Sequence, residues 1–244
     1  MNNYKLTIQY DGGRYKGWQR LGNTENTIQG KIENVLSEMV GKNIEIIGSG
    51  RTDAGVHALA QIANVKLAEK LQEFEVQQYL NRYLPHDISV TDVKLVNDRF
   101  HARYNAKDKT YLYKIWNESY TNPFMRKHSL HVEKKLDLEK IKEASRYFEG
   151  EHDFTAFSNA KSKKKSMVRH IYSIQIEEEA GFINIRIKGN GFLYNMVRKM
   201  VGTLIDVGLG ERNPEEVKNM LESHDRSLAG FADAHGLYLE KIDF

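Results

Sequence analysis

The strongest constraint on this chain is a change of apolar period that recurs between Tyr4 and Val96. Alternation from Tyr4 to Gln9 predicts a strand that ends at the turn Asp11-Gly12-Gly13. Ile28, Ile32, Val35, Leu36 and Met39 then recur at helical spacing, with Thr24 or Asn26 expected as the cap and Gly41 as the stop. Strands are expected over Asn43 to Ile47 and Ala58 to Leu67, a helix near Phe74 to Leu84, and a strand near Ile88 to Val96. Strand, helix, strand, strand, helix, strand is the split βαβ, or ferredoxin-like, order.

The second half repeats that pattern, though not the residues. Strands are expected over Thr110 to Asn117, Val168 to Glu177, Phe182 to Lys188 and Leu237 to Ile242. Helices are expected over Leu136 to Phe148, Phe192 to Val207 and Pro214 to Ser223. The fold class is therefore α+β, in two ferredoxin-like halves. We place the boundary near Asn105, giving an N-terminal domain 1–105 and a C-terminal domain 106–244. No Pro-, Gly- or Ser-rich linker marks it, so the halves are expected to join tightly.

A length of 244 residues accommodates two modest domains or one large one. No apolar run approaches the roughly 18 residues that span a bilayer, and Met1-Asn2-Asn3-Tyr4-Lys5 lacks a signal-peptide apolar region. A cytoplasmic protein is expected. The chain has no cysteine, which excludes disulfides, a thiol nucleophile and thiolate metal sites. Net charge is only +3, so the placement of charge matters more than its sum. Between Phe154 and Gln175 there is no acid, while Lys161, Lys163, Lys164, Lys165 and Arg169 all fall there. Such a run is either a solvated loop or a contact for phosphates. Arg14, Lys16 and Arg20 lie beside Trp18, and Arg99, Arg103 and Lys107 lie beside Tyr104. These groups mix charge for phosphates with planar rings for bases.

Chemistry concentrates at Gly48-Ser49-Gly50-Arg51-Thr52-Asp53-Ala54-Gly55-Val56-His57, which isolates one carboxylate in a glycine-punctuated turn after the apolar run Ile44 to Ile47. Arg51 is a cationic partner that would keep Asp53 ionised, as a nucleophile or base requires. The competing reading is an Asx-type turn in which Asp53 and Thr52 bond local backbone. Asp53 and His57 stand four apart, yet Gly55 lies between them and no further ligands support them, so no metal is expected. Gly189-Asn190-Gly191 is followed by Tyr194 where a dinucleotide loop needs its third glycine, and no nucleotide cofactor is expected.

Gly50 to His57 resembles the active-site motif of the TruA family of tRNA pseudouridine synthases. Tyr10-Asp11-Gly12, Tyr15-Lys16-Gly17-Trp18-Gln19-Arg20, Leu84-Pro85-His86-Asp87-Ile88, Phe100-His101-Ala102-Arg103, Tyr111-Leu112-Tyr113 and Met196-Val197-Arg198 to Gly202 resemble the family's other blocks in the same order. The resemblance implies two domains sharing one continuous mixed sheet, with the active cleft between them. It implies an isomerase that converts uridine to pseudouridine without cofactor, acting on tRNA at anticodon stem-loop positions 38 to 40, and a homodimer. It makes Asp53 the catalytic nucleophile and Arg51 its ion-pair partner. It makes Tyr111 the ring that packs on uracil and Arg198 a basic residue near the carboxylate, while the lysine run, Lys163 and Lys164 included, is read as an RNA-binding arm. From spacing alone, Tyr111 and Tyr113 are equally ordinary core aromatics on one strand face. Two departures from the family pattern stand in the strand after the motif, Ala60 and Asn64-Val65, where a glycine and a histidine-aromatic pair are expected. A third is Ala229 to His235, which replaces a threonine- and alanine-rich segment. They leave open a paralogue acting on another RNA such as rRNA, a non-catalytic RNA-binding protein, or a glycosidic-bond hydrolase.

Overall fold

The computed structural model describes residues 1–160 and 166–244. The lysine run 161–165, with Lys163 and Lys164, lies outside the described residues. The chain forms two compact units, residues 1–107 with 238–244, and residues 108–237. Residues 238–244, from the last strand, group with the first unit.

The first unit begins with β1 (Asn2–Tyr10), in which Tyr4, Leu6, Ile8 and Tyr10 alternate into the core. Helix α1 (Ile28–Val40) buries Ile28, Ile32, Val35 and Leu36 on one face. Its cap is Thr27 and not Thr24 or Asn26: the Thr27 hydroxyl accepts the Gly30 amide at 3.2 Å. Next come β2 (Ile46–Gly48), β3 (His57–Leu67), α2 (Glu73–Tyr83) and β4 (Ile88–Val96). β1 lies antiparallel between β3 and β4, with Leu6 opposite Ala63 and Val93. β2 pairs antiparallel with the far half of β3, Ile46 opposite Val65 and Gly48 opposite Ala63. This is the ferredoxin-like strand order expected from the sequence.

The second unit contains β5 (Asp108–Trp116), β6 (Leu130–His131), α3 (Leu138–Arg146), β7 (Gly150–Asp153), β8 (Val168–Glu179), β9 (Phe182–Gly189), α4 (Met196–Gly208) and α5 (Glu216–Ser223). β9 lies antiparallel between β5 and β8, while β7 adds to β8 and β6 to the end of β5. Two-residue β6 and four-residue β7 are too short to leave a period in the sequence. Helix α4 starts later than its apolar spacing predicts, because Asn195 adopts a left-handed conformation at φ 63° and breaks the helical path. Phe192, expected to open the helix, thereby lies before it.

The chain ends in β10 (Leu237–Asp243), which runs parallel to β3 in the first unit, Tyr238 opposite His57 and Leu239 opposite Ala58. A strand's period shows which faces it presents and not which edge it joins, so the sequence could not assign this partner. Among the described residues, no helix is long and apolar enough to cross a membrane.

Asn64, one of the departures, is 1% exposed and makes two side-chain hydrogen bonds. Its amide donates to Asn3 Oδ1 at 3.0 Å, and its carbonyl oxygen accepts the Ala102 amide at 2.9 Å. Asn3 in turn donates to the Asn97 and Phe100 carbonyls at 3.0 and 2.9 Å. The pair ties β1 and β3 to the segment after β4. Asn64→Ala strands buried polar groups on both sides, and a lost buried partner costs about 1 to 3 kcal/mol. Urea unfolding of that variant should show a loss of about 2 kcal/mol; a loss under about 0.5 kcal/mol would mean that the Asn3 and Ala102 groups find other partners.

Candidate active site

The Asp53 loop exists because β2 is only three residues long. After Gly48 the chain stays beside β3 for one more contact, Ser49 N–H to the Ile62 carbonyl at 2.8 Å, and then departs. The edge of β3 that it vacates, at His57 and Ala58, is taken by β10. Residues 49 to 56 are therefore released as a loop at the end of a sheet, where functional groups are commonly held.

That loop is fastened from beneath along its length. Ser49 Oγ donates to Gln61 Oε1 at 2.9 Å, and Gln61 Nε2 donates to the Gly50 carbonyl at 3.0 Å. The Tyr10 hydroxyl and Thr52 Oγ1 share a hydrogen bond of 2.7 Å. Burial pushes the Tyr10 phenol well above its ordinary pKa, against the smaller opposing effects of Thr52 and Gln61, so it stays neutral. The Thr52 carbonyl accepts the Trp18 amide at 3.0 Å. A tight turn then closes from Val56 N–H to the Asp53 carbonyl at 3.1 Å. Thr52 is buried, Asp53 half-buried and Arg51 exposed. The loop backbone is fixed on the protein side, and Asp53 stands at its partly open side.

The other sequence blocks of the first unit supply this support. Gly12 N–H donates to His57 Nδ1 at 3.1 Å, and Asp11 Oδ1 lies 3.0 Å from the same nitrogen. One imidazole nitrogen cannot accept from Gly12 and donate to Asp11 together, so whether Nδ1 carries a proton, which the neutral tautomer alone can decide, selects between these contacts. The His57 ring stacks on Tyr238 of β10 at 4.8 Å, which ties the loop's exit to the chain terminus. Tyr15 donates to Asp87 Oδ1 at 2.5 Å, and Arg14 pairs with the same carboxylate. Burial, with Asp87 next, pushes the Tyr15 phenol up to about 12. Trp18 is 2% exposed, so it is a core ring and not a platform for bases, correcting that sequence expectation.

Tyr111 and Arg198 lie in the second unit. Tyr111, on β5, is 8% exposed and meets Phe192 edge to face at 5.0 Å. Its alternate neighbour Tyr113 is wholly buried, with its hydroxyl donating to the Asp233 carbonyl at 2.8 Å. Arg198 is half-buried; its Nε donates to the Ala232 carbonyl at 2.8 Å and its guanidinium lies 4.0 Å from the Phe231 ring. The segment that departs from the family pattern, Ala229 to His235, is thus gripped by both Arg198 and Tyr113. Beside it the buried Lys199 amine donates to the Ala156 and Arg226 carbonyls, at 3.1 and 2.8 Å, and burial lowers its pKa.

Spacing singled out Asp53 but not Tyr10, Gln61 or Gly17 as its supports; Tyr10, Gly17 and Thr52 do stand in the quoted blocks. Gly17 sits at φ +96°, and a Cβ there would lie 2.7 Å from the Thr52 carbonyl oxygen and 3.2 Å from the Ala54 nitrogen. Backbone cannot yield as a flexible side chain can. Gly17→Ala should lower stability by about 1 to 3 kcal/mol, whereas Gly22→Ala, which meets nothing within 4 Å, should change it little. Thermal unfolding of the pair checks this, and equal midpoints would remove Gly17 as the loop's floor.

A family model described as tRNA pseudouridine synthase matches residues 6–105 and 144–244. The chain is 76% identical over its full length to the full-length tRNA pseudouridine synthase A of Bacillus sp. (strain KSM-64). It is 66% identical to tRNA pseudouridine synthase A 2 of Bacillus anthracis, with both chains fully covered. It is 45% identical to tRNA pseudouridine synthase A of Thermoanaerobacter pseudethanolicus, covering 99% of each chain. With a match over most of both units and relatives aligned from end to end, the chain belongs to the tRNA pseudouridine synthase family, of the TruA type.

Proposed function

We propose that this protein isomerises uridine to pseudouridine in the anticodon stem-loop of tRNA, with Asp53 as the nucleophile. The observation that carries the reading is the Asp53 loop: one carboxylate, half-buried, on a backbone immobilised through Ser49, Thr52 and Val56. The reaction breaks the bond between uracil N1 and ribose C1′, turns the base, and joins C1′ to C5; N1 gains a proton and C5 loses one. Attack on the ring, attack on the sugar and removal of a sugar proton all require an ionised oxygen at a fixed position. A rigid loop supplies that position without reorganisation during the reaction.

Arg51 is assigned to keeping Asp53 charged and to holding the extruded nucleotide, and Arg198, on the family resemblance, to binding the substrate. Tyr111 is assigned to the face of the uracil. Extruding a base costs a few kcal/mol, and an aromatic platform returns about 1 to 3 kcal/mol per stacked base. Lys163 and Lys164 are assigned to phosphates on the strength of their acid-free sequence neighbourhood alone. No metal or cofactor is required by this chemistry. A cytoplasmic location and a homodimer complete the proposal, supported by the family resemblance.

Product analysis on tRNA separates this reading from its rivals. Isomerisation leaves the RNA mass unchanged and creates a carbodiimide-reactive pseudouridine, a hydrolase releases uracil, and a binding protein does neither. Asp53→Asn keeps shape and loses the ionised oxygen, so it should reduce pseudouridine formation by about ten-thousand-fold while tRNA affinity stays within a few fold. Appreciable turnover by that variant would remove Asp53 from the mechanism. For Tyr111, the Phe variant keeps the ring face and should stay near the parent rate, whereas the Ala variant should lose about 1 to 3 kcal/mol of transition-state stabilisation. Equal rates in Phe, Ala and parent proteins would make Tyr111 purely structural.

A further inference from the structure

The segment from Asn97 to Lys107, between β4 and β5, holds one aromatic ring out into solvent. Tyr104 is 78% exposed, and its ring stacks on His101 at 4.1 Å with 29° between planes. One ring face is covered by the histidine, and the exposure belongs to the other. Its backbone is fastened as firmly as the Asp53 loop. Asn64 and Asn3 accept and donate beneath Ala102, Asn97 and Phe100. The Asn105 side chain accepts the His101 amide at 2.7 Å, and the Asn105 amide donates to the His101 carbonyl at 3.0 Å. The Lys107 amide donates to the Asp243 carbonyl at 2.8 Å. Phe100 packs on Phe244 at 5.1 Å.

The segment that carries the ring has three cations and one acid. Arg99, Arg103 and Lys107 are exposed. The acid of the segment, Asp98, is paired with Lys66 at 2.9 Å, which holds its carboxyl below the usual range. An exposed ring on a segment with three exposed cations is poorly suited to an apolar protein surface, which offers nothing for the charges. It suits a nucleotide, because every base presents a π face and every linkage a phosphate.

We propose that this arm is a stacking site for an unpaired base of the RNA substrate, Tyr104 supplying the plane and Arg99, Arg103 and Lys107 the phosphate contacts. The proposal rests on the reading of the protein as an RNA isomerase. It adds a contact in the first unit that is separate from the Asp53 loop and from the lysine run, and it gives Asn64 a role as the anchor of an RNA-binding arm.

The test is a tRNA titration of four proteins: the parent, Tyr104→Phe, Tyr104→Ala and Tyr104→Trp. The two natural tryptophans, Trp18 and Trp116, are buried and give a constant background. Stacking should quench the emission of the tryptophan at 104 as tRNA saturates. Tyr104→Ala should raise Kd by about 5- to 150-fold, the range that one lost stacked base allows, and Tyr104→Phe should stay within about twofold. Arg99→Ala or Arg103→Ala should each flatten the slope of log affinity against log salt by about 0.7. An unchanged Kd in Tyr104→Ala overturns the proposal. A raised Kd without quenching overturns it too, since the ring would then act only in packing its own loop. Pseudouridine formation by the parent protein is measured in parallel: its absence sinks the isomerase reading, whereas its presence beside an unaffected Tyr104→Ala sinks the arm alone.

Discussion

The first unit depends on how one strand edge is shared. β3 has eleven residues, but β2 covers only its distal part, and β10 arrives from the other end of the chain to cover the proximal part. An uncovered edge leaves unpaired amides and carbonyls that must find water or another strand. Had β2 run on to His57, the chain could not have left the sheet at Gly48, and there would be no loop for Asp53. The early end of β2 and the return of β10 are therefore one structural solution. His57 stands where they meet, bonded to the Gly12 turn and stacked on Tyr238.

Releasing a loop creates mobility, and this loop has had its mobility removed by polar groups that are themselves buried. Tyr10, Ser49, Thr52 and Gln61 are all close to inaccessible, and each makes a hydrogen bond. A buried polar group costs stability when unpaired and contributes little net when paired. Such a network adds position more than stability. A core built of leucine could have held the sheet together, but it would have left the backbone of residues 50 to 53 without fixed partners. Directional bonds from a rigid strand are what set the carboxylate in place.

The alternating and helical periods of the first unit are strong enough that β1, α1, β3, α2 and β4 all follow from the sequence. What escaped has physical causes. Thr27, not Thr24 or Asn26, caps α1, because all three hydroxyl or amide side chains suit a cap and only the tertiary path chooses among them. Phe192 fits the apolar spacing of α4 but lies before a left-handed Asn195, so it meets Tyr111 instead of a helix neighbour. β10 reads as a strand from its residues, yet its parallel partner is nearly two hundred positions away and carries no local signal. Trp18 shows the opposite error: proximity in sequence to Arg14, Lys16 and Arg20 does not make a ring available to a base, since its side chain turns inward while theirs stay exposed.

Asn64 shows how a departure from a family pattern can be read physically. As a residue in an alternating strand it is an oddity, a fully buried amide among Ala63, Val65 and Ile62. Once paired with Asn3, it becomes the donor and acceptor that fix the backbone of Phe100 to Ala102. Its two side-chain polar atoms are satisfied from two different segments, β1 and the arm, so its identity is set jointly by both. Changes at this position must then be accompanied by changes at Asn3 or in the arm, because each alone would leave a buried group unpaired. The Asp53 loop is fixed by other residues, Tyr10, Trp18 and Gln61, which allows the arm to diverge while the chemistry of the loop is kept.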